Sequence, residues 1–144
     1  MKFEDILKLW DADCFIDPSN IALETLKTPQ LHSKYYNIFI RENLLLEKLN
    51  TNLKEIVLTR WKFYNKLGDD SEYKNYEGNF FELKLLKSEK DMFFECDSEI
   101  LTHKEKIAAQ KEKVECLKEI LKQINNRTFQ IKNFIDMKKI ESGI

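Results

Sequence analysis

Cations and aromatic rings alternate along one stretch of this chain, where Lys54, Arg60, Trp61, Lys62, Phe63, Tyr64 and Lys66 follow one another closely. Lysine and arginine track phosphate, and ring faces accept unstacked bases, each stack being worth about 1–3 kcal/mol. Lys54, Arg60, Trp61, Lys62, Tyr64 and Lys66 are therefore the candidate contacts for a single-stranded nucleic acid. Arg60 also extends the apolar series Leu53, Ile56, Phe63 and Leu67, and Arg127 falls in the series Ile120, Ile124, Ile131 and Phe134. A cation on an apolar stripe snorkels to an edge, satisfies a buried carboxylate or marks an interface, and the spacing leaves all three open.

Other chemistries find no support. No phosphate-cradling GxxxxGK[ST] loop and no GxSxG elbow occurs, and only His32 and His103 could titrate near neutrality. The acidic run Asp69, Asp70 and Glu72 reads as a solvated loop rather than a metal-holding carboxylate cluster. Cys14, Cys96 and Cys116 are odd in number, so they read as reduced, mostly buried thiols. Cys96, His103 and Cys116 lack the close ligand pairs of a zinc site. We expect no enzyme, no cofactor and no metal.

The elements that must position these residues are helical. The chain has 144 residues, 42% of them hydrophobic and 34% charged, with only 3 Gly and 2 Pro. We expect one compact domain with at most a small appendage, without the turn-formers of a sandwich or barrel. No apolar run approaches the roughly 18 residues of a membrane span, and the acidic start Met1-Lys2-Phe3-Glu4-Asp5 is unlike a signal peptide, so the expected location is cytoplasmic, with no membrane partner. A net charge of −1 hides segregation: residues 1–30 carry −3, 31–68 +4, 69–99 −6 and 100–144 +4. Segregation of this kind can build a positive surface on a neutral protein, although a solvated helical face carrying lysine for solubility gives similar counts and is the commoner cause.

We expect an all-α, long-helix bundle. Phe3, Ile6, Leu7 and Trp10 define a first helix. Asp17-Pro18 has the form of a helix start, and Thr28-Pro29 repeats it, with His32 beside it as a capping or packing residue. The pattern then predicts one helix from Pro29 to about Lys66, stopped by Leu67-Gly68-Asp69-Asp70. Residues 69–99 read as an acidic connector containing Gly78, with possible short strands in 80–96, where Phe80 to Leu86 and Met92-Phe93-Phe94 fit a helical turn or a strand equally well. A final helix begins near Ser98 and weakens at Asn125-Asn126. The expected division is 1–99, a helical region with the candidate nucleic-acid contacts and the acidic connector, and 100–144, a helical region whose stripe suits oligomerisation. There the stripe Ile124, Arg127, Ile131, Phe134, Ile135 and Ile140 runs almost to the last residue, which favours burial against a second copy.

Phe15-Ile16-Asp17, then Pro29-Gln30-Leu31-His32-Ser33-Lys34-Tyr35-Tyr36, Arg60 with Phe63-Tyr64 and Gly68, and finally Asn126-Arg127-Thr128-Phe129-Gln130-Ile131-Lys132-Asn133 with Glu141-Ser142-Gly143 together carry a resemblance. In order, spacing and total length the chain resembles the UvsY recombination mediators of T-even-like phages. The resemblance implies a non-enzymatic protein that binds single-stranded DNA as a homo-oligomeric ring, a hexamer or heptamer, in the cytoplasm of an infected host cell. It also implies loading of the phage recombinase onto DNA covered by the phage single-strand-binding protein. The family's Leu-Lys-any-Arg DNA motif aligns with Val57-Leu58-Thr59-Arg60, which retains the arginine but has Leu58 in place of the lysine, with Lys54 and Lys62 one turn to either side. Its ring-forming carboxyl-terminal helices correspond to Ile124, Arg127, Ile131, Phe134 and Ile135. A helical scaffold or adaptor binding only protein partners is the rival reading.

Overall fold

The computed structural model describes residues 1–65 and 87–144. Among them are four helices and no strand: α1 (Phe3–Asp13), α2 (Ile21–Tyr64), α3 (Lys87–Glu95) and α4 (Ser98–Glu141). Glu4 and Asp5 in the first turn of α1 complement the positive end of its dipole.

The junction before α2 corrects the expected helix start. Asp17 accepts from the Ser19 amide at 2.9 Å and the Ser19 hydroxyl at 2.6 Å, closing a turn ahead of the helix instead of capping it. The Glu24 amide then bonds the Asn20 carbonyl at 3.1 Å, and α2 runs from Ile21 straight through Pro29. Proline inside a helix costs about 3 kcal/mol. Tertiary packing offsets that cost here, because buried Glu24 lies before Pro29 and buried Tyr35 after it. His32 is consequently no cap; its ring stacks on Tyr36 with centroids 5.7 Å apart.

Asn125-Asn126 likewise fails to interrupt α4, since Ile124 and Arg127 on either side are only 1% and 3% exposed. Met92-Phe93-Phe94 is helical in α3, which removes the strand alternative for that run. Phe80 to Leu86, Lys66, the Leu67-Gly68-Asp69-Asp70 stop, Glu72 and Gly78 lie outside the described residues. The thiols are less buried than expected: Cys14 and Cys96 are exposed, and only Cys116 is half-buried, where burial pushes its thiol pKa up.

Two compact units emerge, drawn along a different line from the 1–99 and 100–144 division. In the unit formed by 1–44 and 110–144, Ile6, Tyr35, Leu117, Ile120 and Ile124 make the core, with Trp10, Leu31 and Phe39 against it. Trp10 meets the Tyr35 ring edge-on at 5.4 Å, and the Tyr35 hydroxyl donates to Asp13 at 2.9 Å. Burial, and then the Asp13 carboxylate, push the Tyr35 phenol pKa up. Glu24 pairs with Arg127 and Glu42 with Gln110, so the two helices run antiparallel within this unit. In the unit formed by 45–109, Tyr64, Asp97 and Ile100 are buried, and Tyr64 meets Phe94 of α3 edge-on at 6.3 Å.

Candidate nucleic-acid interface

Interleaving along the sequence becomes separation in space. Residues 54, 58 and 61 recur every three or four positions and share one face of α2, whereas Ile56, Arg60 and Phe63 lie on the other. On the outer face Lys54 is exposed, Leu58 is 54% exposed and Trp61 46%. Lys62, beside it, is half-buried. Lys54 and Lys62 form no ion pair among the described residues, so this face presents two ammonium groups and an indole.

Arg60 and Tyr64 turn inward to one carboxylate. Asp97 stands at the N-cap of α4, and its Oδ1 accepts the amides of Glu99 at 3.0 Å and Ile100 at 3.1 Å, satisfying two orphan donors of the first turn. Its Oδ2 accepts Arg60 Nε at 2.7 Å and the Tyr64 hydroxyl at 2.8 Å. Glu99 adds a second acid 3.9 Å from Arg60 Nε. The guanidinium also lies 4.4 Å from the Phe63 ring centroid and 5.4 Å from that of Tyr64, within cation–π range. Burial alone pushes the Asp97 carboxyl pKa up, but the Ile100 amide, Arg60 and Tyr64 outweigh it and hold the group below its ordinary value. Of the three fates open to Arg60, the structure shows the second, a buried carboxylate.

Arg127 meets the same fate. It donates through Nη2 to the Glu24 carboxylate and to the Glu24 carbonyl at 3.2 Å, while its Nε has no partner among the described residues. Lys27 holds Glu24 from the other side at 2.6 Å. Of the expected interface residues, Ile124, Arg127 and Ile131 are already covered by their own chain, Phe134 is half-buried and Ile135 is 36% exposed. With Ile135, the exposed apolar side chains of this end are Phe129, Met137, Ile140 and Ile144.

Asp97 and Glu24 are the residues that sequence reasoning missed. Asp97 directly precedes the stripe that starts α4, which is the signature of an N-cap. Glu24 lies in step with Leu31, Tyr35 and Ile38 on the inward stripe of α2, so the same periodicity that exposed the two arginines could have found it. Among the described residues no group of three or more His, Cys, Asp or Glu could hold a metal, and no helix is long and apolar enough to cross a membrane.

The described residues thus form long helices, with Lys54, Leu58 and Trp61 on an outer face of α2 and Arg60 held inward by a buried carboxylate. The chain belongs to the UvsY family: residues 9–144 match its model, described as recombination, repair and single-stranded-DNA-binding protein UvsY. Crystal structures of the bacteriophage T4 recombination mediator protein UvsY share the fold. Its lattice type IV form matches with a TM-score of 0.83 at 21% identity, over 97% of this chain and 99% of that one. The lattice type II form gives 0.83 at 22% identity, over 99% and 98%. The type I form gives 0.81 at 22%, over 95% and 98%. No curated protein sequence matches.

Proposed function

We propose that this chain is a recombination mediator that binds single-stranded DNA and promotes loading of a phage recombinase onto DNA covered by single-strand-binding protein, in the cytoplasm of an infected host cell. The observation that carries the reading is the outer face of α2, where Lys54 and Trp61 are both open to solvent in a member of a single-stranded-DNA-binding family. Lys54, Lys62 and Lys66 supply phosphate contacts and Trp61 a stacking surface, with Arg60 and Tyr64 as further contacts from the inward side of the helix. Each protomer offers few contacts, so affinity comes from repetition around a homo-oligomeric ring, where effective concentration multiplies weak sites.

Fluorescence anisotropy with a labelled oligonucleotide tests strand binding. Affinity should fall with salt at a slope near −0.7 per phosphate neutralised, and duplex DNA should compete poorly. No affinity at low salt identifies a protein-only scaffold. Loading is read from recombinase ATPase activity on DNA covered by single-strand-binding protein: the chain should shorten the lag, and an unchanged lag counts against mediation. For the ring, deleting residues 136–144 keeps every buried residue of the 1–44 and 110–144 unit while removing Met137, Ile140 and Ile144. Sedimentation should then show a smaller species, and a full-size assembly places the interface elsewhere.

A further inference from the structure

Arg60 cannot hold Asp97 and a phosphate with the same donors at once, and the surroundings of Asp97 show which partner gives way. We propose that Asp97 is a positioning residue that competes with the strand for Arg60: its carboxylate holds the guanidinium in the unbound protein, and a DNA phosphate takes it over on binding. The inference rests on the strand-binding reading above and adds a determinant of affinity to that site.

Three observations point this way. When Arg60 leaves, Asp97 keeps the Tyr64 hydroxyl at 2.8 Å and the amides of Glu99 and Ile100 at 3.0 and 3.1 Å, so the carboxylate is not orphaned. The two partners differ in access, since the Arg60 side chain is 12% exposed against 1% for Asp97, so the arginine is the more accessible member of the pair. The Phe63 and Tyr64 rings, 4.4 and 5.4 Å from the guanidinium, keep it on this side of α2 as it exchanges one oxyanion for another of similar geometry.

Asp97→Asn is the decisive variant because asparagine caps a helix about as well as aspartate while removing the competing charge. Anisotropy with an oligothymidylate should show binding about tenfold tighter than for the natural chain, the scale of one charge-assisted hydrogen bond no longer broken. Circular dichroism should show unchanged helix content. The gain must vanish in an Arg60→Gln background, because Asp97 acts only through Arg60; Asp97→Asn with Arg60→Gln leaves no buried charge unpaired. Asp97→Asn binding no tighter, or tightening equally with Arg60→Gln present, overturns the proposal while leaving strand binding intact. A natural chain with no affinity at low salt overturns the strand-binding reading and this inference with it.

Discussion

Each compact unit encloses an arginine that donates to a buried carboxylate, yet the two pairs are built differently. Glu24 is held by side chains alone, Arg127 from α4 and Lys27 one turn along α2, and both members of the Glu24–Arg127 pair are almost fully covered. Asp97 is held by two backbone amides, a phenol and Arg60, whose side chain is less fully covered than that of Arg127. A carboxylate anchored by the backbone can lend its arginine, whereas one anchored by side chains depends on it. The first arrangement suits a site that exchanges partners and the second suits a clamp between helices.

Breaking the clamp should produce the largest effect. Arg127→Ala leaves Glu24 covered, with Lys27 as its remaining cation, and should cost about 3 kcal/mol in urea denaturation. Replacing both members, as Glu24→Gln with Arg127→Met, should recover much of that loss. A loss below about 1 kcal/mol for Arg127→Ala would mean that the pair holds nothing. Arg60→Ala comes next, at about 1–2 kcal/mol, because three donors still satisfy Asp97. Equal costs for the two alanine variants erase the distinction drawn between the units.

Acid separates the pairs more finely. Lys27, and despite burial also Arg127, hold the Glu24 carboxyl below its ordinary value, and the donors around Asp97 do the same against its burial. Folded carboxyls with lowered pKa values bind fewer protons than their unfolded counterparts, so the stability they supply is complete above the ordinary carboxylate range near 4. It drains away as pH falls through the lower, folded values. Melting temperatures between pH 7 and 3 should fall steeply below about pH 4 for the natural chain and less steeply for Asp97→Asn. An identical acid limb assigns the titration to other groups.

Spacing made much of this legible. The inward faces of α2 and α4, the start of α4 at Ser98, and the anomaly of Arg60 and Arg127 all follow from recurrence every three or four residues. What escaped were the partners, because Asp97 and Glu24 meet their arginines across sequence separations that only helix pairing sets. Local rules failed where packing outvoted them: Pro29 and Asn125-Asn126 look like breaks, yet buried neighbours carry the helix through each. The candidate strand-binding run was legible as composition and not as geometry, since its described members Lys54, Arg60, Trp61, Lys62 and Tyr64 wrap around the helix and divide between an exposed face and an interior carboxylate.

That division sets the smallest expected effect. Lys54 is exposed, and its ammonium forms no ion pair among the described residues, so Lys54→Ala should change stability by less than about 0.5 kcal/mol, as for surface positions generally. If it meets a phosphate, oligonucleotide affinity falls about two- to fivefold and the salt slope flattens by about 0.7, the signature of one lost counterion release. Trp61→Ala, on the same face, should weaken binding without changing the slope, because stacking neutralises no phosphate. The pair of measurements thus distinguishes an ionic from an aromatic contact on a single helix face. A Lys54→Ala chain with unaltered affinity and slope would move the strand off this face and leave the side of α2 that carries Arg60 as the place to look.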